Sequence, residues 1–209
     1  MALSSSKENI LKKIRQALAQ PVPVPFPQSE GSDNIFVASN QLLEIEFAEN
    51  FSKLQGRFSF CTTENELIEQ LTTLITTRKW NNIFCSEEEI KKLLPTITTQ
   101  STNLNNCDVS ITSCEALIAR TGSVVLSSFL PNGRTASVYA PIHICIAYTH
   151  QLVYDVKDAL NVLKDKYQEQ IPSLITLATG PSRTADIEKT LVVGVHGPKE
   201  VFCFIIDKT

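Results

Sequence analysis

The chain has 209 residues, 43% of them hydrophobic and 20% charged, an ordinary balance for one sizeable globular α/β domain with a real core. Nineteen Lys and Arg against 22 Asp and Glu leave a formal net charge of −3, which argues against a nucleic acid held by bulk electrostatics. No apolar run approaches the roughly 20 residues that span a bilayer, and MALSSSKENILKKIRQ lacks the uninterrupted apolar segment of a secretory signal, so a cytoplasmic protein without a membrane span is expected.

Ser5 followed by Glu8 can form a capping box, and Ile10, Leu11, Ile14, Ala17 and Leu18 fall on one helical face. The spacing predicts an amphipathic first helix whose other face carries Lys12, Lys13 and Arg15. A helix docked on its own domain or on a second subunit explains this better than a membrane-surface role. Gln20 to Pro27 alternates proline with apolar residues, which forbids helix and predicts an extended strap. We therefore expect residues 1–34 to form a helix and linker, and residues 35–209 the main domain.

Helical spacing returns from Leu42 to Leu54, and Arg57 to Cys61 reads as a short strand. Thr63 with Glu66 predicts a capped helix through about Thr77, Ile83 to Cys85 a brief buried strand, and Ser86 with Glu89 another capped helix stopped by Pro95. Repeated strand-to-helix steps of this kind predict helices covering a sheet. Thr98 to Asn106 is a loop by composition. Val109 to Thr112 reads as a strand, Glu115 to Ala119 as a short helix, and Val124 to Leu126 as a buried strand. Pro131-Asn132-Gly133 is a turn, its Asn-Gly pair tolerating positive φ at both positions and delivering Arg134 just after the bend. Pro141 then starts a strand from Ile142 to Tyr148, and Asp155 caps a helix with Val156, Ala159, Leu160, Leu163 and Tyr167 on its stripe.

The last part of the chain concentrates the unusual chemistry. An apolar run from Leu174 to Ala178 ends in Gly180-Pro181-Ser182-Arg183-Thr184-Ala185-Asp186, which reads as a loop opening a helix. There, backbone N–H groups with the hydroxyls of Ser182 and Thr184 could converge on an anion, and Arg183 could add a bidentate donor. The alternative is a helix N-cap by Ser182 or Thr184 with Arg183 in solvent. His196-Gly197-Pro198-Lys199 precedes a second buried run, Val201 to Ile206. His196 could be a general acid or base, or a turn histidine bonded to a carbonyl. Thr121-Gly122-Ser123 is a tight turn where Gly122 lets a ligand, or only the chain itself, approach the backbone. His143 reads as a satisfied sheet histidine, His150 as a surface turn residue, and Cys114 as a weak nucleophile candidate.

The six cysteines are scattered without a C-x-x-C pair, mostly inside apolar segments, which predicts buried, reduced thiols and removes the usual ligand spacing for zinc or an iron–sulfur cluster. There is no G-x-G-x-x-G, P-loop, G-x-S-x-G or H-E-x-x-H.

Taken in order, Ala119-Arg120-Thr121-Gly122-Ser123, Gly133-Arg134, Pro141-Ile142-His143-Ile144, GPSRTADIE from Gly180 and GVHGP from Gly194 resemble the LUD domain family, over roughly Phe60 to Ile206. The resemblance implies an α/β fold: a three-layer, Rossmann-like sheet with helices on both faces, of the kind shared by sugar-phosphate isomerases and CoA transferases. It also implies a setting in L-lactate oxidation, where an LUD-domain sister subunit carries iron–sulfur clusters that this chain lacks. Family members commonly carry Glu where this chain has Arg120. On this reading the site comprises Thr121, Gly122, Ser123, Arg134, Gly180, Ser182, Arg183, Thr184 and Gly197 around a small anionic ligand or the sister subunit, with His196 and Asp186 as candidate catalytic groups and no metal. The alternative is an enzyme in its own right, acting on a phosphorylated sugar, a CoA thioester or a related anion.

Overall fold

The structure, a computed structural model, describes residues 5–19, 41–97, 103–168, 170–187 and 190–208. The chain divides into two units, residues 1–40 and 41–209. The first contains α1 (Ser5–Leu18), with Ser5 inside the helix rather than ahead of it. The expected proline strap lies outside the described residues.

The second unit is built on a five-stranded parallel sheet in the order β1 (Arg57–Cys61), β11 (Glu200–Ile206), β6 (Ile142–Tyr148), β3 (Val109–Thr112) and β2 (Ile83–Phe84). Every residue of β3, and all of β11 beyond Glu200, is buried. Such runs suit strands covered on both faces, where no polar alternation is tolerated. Because β1 and β2 occupy opposite edges, the connection that contains α3 (Glu64–Arg78) runs from one edge of the sheet to the other. Leu67 and Leu71 of α3, with Ile90 of α4 (Glu88–Leu93), pack on Ile111, Ile144, Ile146, Phe204 and Ile206 of one sheet face. The other face presents Cys145, Ala147, Cys203 and Ile205 to Phe47 and Phe51 of α2 (Leu43–Lys53).

That second face is shared with a smaller sheet, in the order β7 (Leu152–Val153), β4 (Ala116–Ile118), β5 (Ser123–Ser127) and β8 (Ile175–Ala178). Leu117, Val124 and Leu126 point into the shared core, whereas Ala116, Ile118 and Val125 pack on Ala159 and Leu163 of α6 (Val156–Tyr167). The α/β class with helices on both faces of a parallel sheet is as expected; the small sheet as an extra layer is new. A short helix, α5 (Ala136–Tyr139), leads into β6.

Several local expectations shift. Ala116–Ile118 is strand, not helix, because both faces of this run are buried between α6 and the main sheet. Thr63 Oγ1 accepts from Glu66 N at 3.2 Å, but the Glu66 carboxylate returns to Thr62 N at 2.7 Å, one residue upstream of a reciprocal box. Ser86 does not cap α4; its hydroxyl donates to Pro131 O, and Glu87 takes the N-cap position. Asp155 caps α6 as expected, within a reciprocal box formed with Asp158. In the Asn-Gly turn only Asn132 takes positive φ, at 53°.

One buried polar cluster ties these layers together. The Glu115 side chain is fully buried, with Ser127 Oγ at 2.5 Å, Tyr167 OH at 2.8 Å and Lys166 Nζ at 2.7 Å donating to it. Glu115→Ala strands two hydroxyl donors and opens a cavity, while half-exposed Lys166 regains water. A loss of about 2–4 kcal/mol is expected in urea unfolding, with Glu115→Gln losing less; equal stability of all three proteins would show that the cluster is idle.

Candidate functional site

The family-like strings meet along the edge where α2 ends and β1 begins. Gly122, at φ 61°, lies so close to the helix that a Cβ there would stand 2.4 Å from Phe51 N. Asn50 Nδ2 reaches back to the carbonyls of Ala119 and Arg120, at 3.0 and 3.2 Å. The Thr121-Gly122-Ser123 turn is thus clamped to α2 from both sides. Thr121 Oγ1 and Ser123 Oγ are 2.7 Å apart, and Ser123 Oγ continues to Thr179 Oγ1 at 2.8 Å, a chain of three hydroxyls leading to Gly180.

Gly180, at φ 86°, passes under Leu54 O, and the Arg183 guanidinium donates to that same carbonyl. A helix C-terminus carries partial negative charge and unpaired carbonyls, so an arginine there acts as a cap. Arg183 is exposed, as one reading of the sequence expected, and it also has a protein partner. Arg120 is also engaged: it pairs with Asp155 Oδ1 at 2.6 Å, and its hydrogen bond holds the Asp155 carboxyl below the usual range.

The loop after Gly180 does not open a helix. Arg183–Ile187 is strand β9, which pairs antiparallel with β10 (Thr190–Val193), Thr184 facing Val192 and Arg183 facing Val193. A phosphate cradle at a helix start is therefore not what this segment builds. Asp186 belongs to β9 by its backbone, and its side chain and Glu188 lie outside the described residues.

The two signature loops interlock. Ser182 N donates to Pro198 O and Gly194 N to Ser182 O, both at 2.9 Å, and Ser182 Cβ packs where a side chain on Gly197 would go. This leaves His196 exposed over an open groove of about 470 Å³ with Tyr139, Pro141 and Lys199. Val138, Tyr139 and Val195 expose apolar surface beside it. Arg134 does not join. It donates to Ser173 ahead of β8, whereas Thr179 follows β8, whose four residues alone span about 13 Å.

The remaining candidates resolve as packing. His143 is buried at 1% exposure and shares a 2.8 Å hydrogen bond with Thr112 Oγ1 through Nε2. All six cysteines are buried. The Cys114 thiol is pushed well up, first by its hydrogen bond with Cys145 and then by burial, so it is no thiolate nucleophile.

The residue reading missed a second place. At the carboxyl ends of the parallel strands, where open α/β sheets take ligands, a crevice of about 470 Å³ is lined by Glu87, Ser113, Tyr148 and Lys208 among others. Glu87 is only 7% exposed; it accepts from Ser113 N at 2.8 Å, and burial raises its pKa. The signal was positional: Glu87, Ser113 and Tyr148 each sit at or just past the end of an apolar strand run.

Residues 45–206 match the family model described as LUD domain. "Lactate utilization protein C" of Oceanobacillus iheyensis is 36% identical over 102 residues, 48% of this chain and 44% of that protein. "Lactate utilization protein C" of Bacillus subtilis is 34% identical over 125 residues, 58% and 48% of the two chains. The chain spans about half the length of the curated relatives it matches. Among solved structures, a duf162 family protein from Deinococcus radiodurans aligns with a TM-score of 0.59 at 17% identity, covering 78% of this chain and 96% of that one. At that identity the likeness concerns the fold. No helix among the described residues is long and apolar enough to cross a membrane.

Proposed function

Because the chain belongs to the LUD domain family, we propose that it works in L-lactate utilisation as a cytoplasmic, accessory, non-redox subunit. In this role it docks on an iron–sulfur LUD-domain sister subunit or holds a small anionic ligand beside it. The observation that carries the reading is how the signature loops are used. Ser182, Gly194 and Pro198 bind each other, Arg183 binds α2, and what remains outward is an open face bearing His196, Lys199, Tyr139 and Val195. An open face with one lysine, a histidine and apolar patches suits a partner or an anion better than it suits a reaction needing exclusion of water. The iron–sulfur clusters belong, on this reading, to the sister subunit; here burial holds the Cys61 and Cys85 thiols up at about 11, protonated and poor as ligands.

The test is reconstitution. The pure protein alone is expected to turn over no candidate anion, and to raise L-lactate-dependent dye reduction when mixed with the cluster-bearing subunit. His196→Ala with Lys199→Ala should lower that stimulation at least tenfold without changing the fold. Turnover of a defined anion by the isolated protein, abolished by His196→Ala or Asp186→Ala, would sink the accessory role. A thermal-shift screen against lactate, pyruvate, phosphate, sugar phosphates and CoA, with Lys199→Ala as control, separates an anion site from a protein-docking face.

One observation favours the alternative, an enzyme acting on a phosphorylated sugar, CoA thioester or related anion. Glu87 stands nearly buried at the floor of the carboxyl-end crevice, and its raised pKa suits a carboxyl that gives and takes a proton. In that case Glu87→Gln, rather than His196→Ala, removes the activity.

A further inference from the structure

We infer that the chain pairs with a second copy of itself through β1, so that two five-stranded sheets join into one. β1 is an outer strand, bonded to β11 on one side, and no strand among the described residues pairs with its other side. Both faces of that open edge are hollow. On the α2 face, Leu42, Ile45, Ala48, Phe58 and Phe60 line a groove of about 420 Å³. On the α3 face, Arg57, Ser59, Gln70 and Leu74 border another of about 380 Å³. A strand sends successive side chains to opposite faces of its sheet. Paired grooves astride an open strand edge are therefore the space that one further strand would fill.

The occupant must be extended, apolar at alternate positions on the α2 face and polar on the α3 face. β1 itself meets that description. Its sequence Arg57-Phe58-Ser59-Phe60-Cys61 is nearly palindromic about Ser59. Laid antiparallel against a second copy, with Ser59 opposite Ser59, it sets Phe58 opposite Phe60 twice on the α2 face, as aromatic cross-strand pairs. Ser59 and Arg57 then fall on the α3 face beside Gln70. The same twofold axis reverses α2 against its copy, so Glu44 near one end of the helix faces the Lys53 end of the other. Edges meant to stay single usually carry charge, proline or a bulge. Here the sole charge, Arg57, is drawn away to Glu200 at 2.9 Å, while Leu42 is 68%, Ile45 48% and Phe60 37% exposed. A short strand plus one helix face is a small interface, so assembly in the micromolar range is expected.

Sedimentation equilibrium of the full chain across the micromolar range, with Phe60→Lys and Ser59→Cys, tests this. Expected are a monomer–dimer equilibrium, at least a tenfold weaker dimer for Phe60→Lys with an unchanged circular dichroism spectrum, and, on mild oxidation of Ser59→Cys, an intermolecular disulfide between the two introduced thiols. Lys157→Cys, on exposed α6, should not cross-link. A wild-type chain that stays monomeric throughout overturns the proposal, and protected β1 amides in that monomer would give the edge to another segment of the same chain. A dimer that tolerates Phe60→Lys, or whose Ser59→Cys variant fails to cross-link, also overturns it.

Discussion

Gly122→Val is expected to cost about 3–5 kcal/mol and leave little folded protein at 37 °C. Two independent penalties add. At φ 61° the backbone occupies the left-handed region, which a β-branched residue resists by about 1–3 kcal/mol. In addition, a Cβ would sit 2.4 Å from Phe51 N and 2.6 Å from Asn50 C, and helix backbone, unlike a flexible side chain, cannot swing aside. Relief means pushing α2 off the core, where Phe47 and Phe51 are fully buried. Urea unfolding of Gly122→Ala and Gly122→Val measures the effect; a loss under 1 kcal/mol for both would mean that the turn and the helix are not locked together.

Acid is expected to weaken the fold through His143. Burial lowers its pKa from 6.5 to about 4, and its buried Nδ1 has no hydrogen-bond partner that could hold a proton. Between these values the unfolded chain binds a proton that the folded chain refuses, so stability is fully present above pH 6.5 and falls as the pH drops toward 4. Of the roughly 3 kcal/mol in the whole window, about 2 kcal/mol is lost between pH 7 and pH 5. Glu87 acts the other way. Its carboxyl is raised by burial, so the folded form holds the extra proton and stability declines as the pH rises through its folded pKa. Comparing wild type with His143→Gln at both pH values isolates the histidine: the variant should lack about 2 kcal/mol of the pH response. An unchanged response would place the proton uptake elsewhere.

The strands of the main sheet were legible because a doubly covered strand has little freedom of composition. Val109–Thr112 and Ile142–Tyr148 agree to the residue, and Val201 to Ile206 misses only Glu200. Helix starts were legible where a side chain makes its bond locally, as at Asp155, and misplaced where the bonding partner is distant, as at Ser86. The run Glu115 to Ala119 has good helix formers, yet burial between two layers overrides propensity. GPSRTADIE failed as a helix for a related reason. Its acidic and hydroxyl residues imitate a helix start, but Thr190–Val193 pairs with it as a strand.

The candidate site was legible as strings and not as roles. Gly122, Gly180 and Arg183 stand out in the sequence as unusual, but what makes them so is α2, which lies more than sixty residues earlier and has no marked sequence feature of its own. Glu87 escaped notice because a single glutamate at the start of an acidic helix looks solvated until the strand ends are brought beside it.

The position of β11 between β1 and β6 has a consequence for synthesis. Strands at residues 57–61 and 142–148 must wait for a neighbour made only near residue 206, since each bonds to β11 and not to the other. Until that segment leaves the ribosome, the nascent chain holds β1 unattached and one edge of β6 bare. Closure of the sheet therefore comes late, across long sequence separations that slow folding, and a chain stalled shortly before residue 200 would present unpaired strand edges to its neighbours on the polysome.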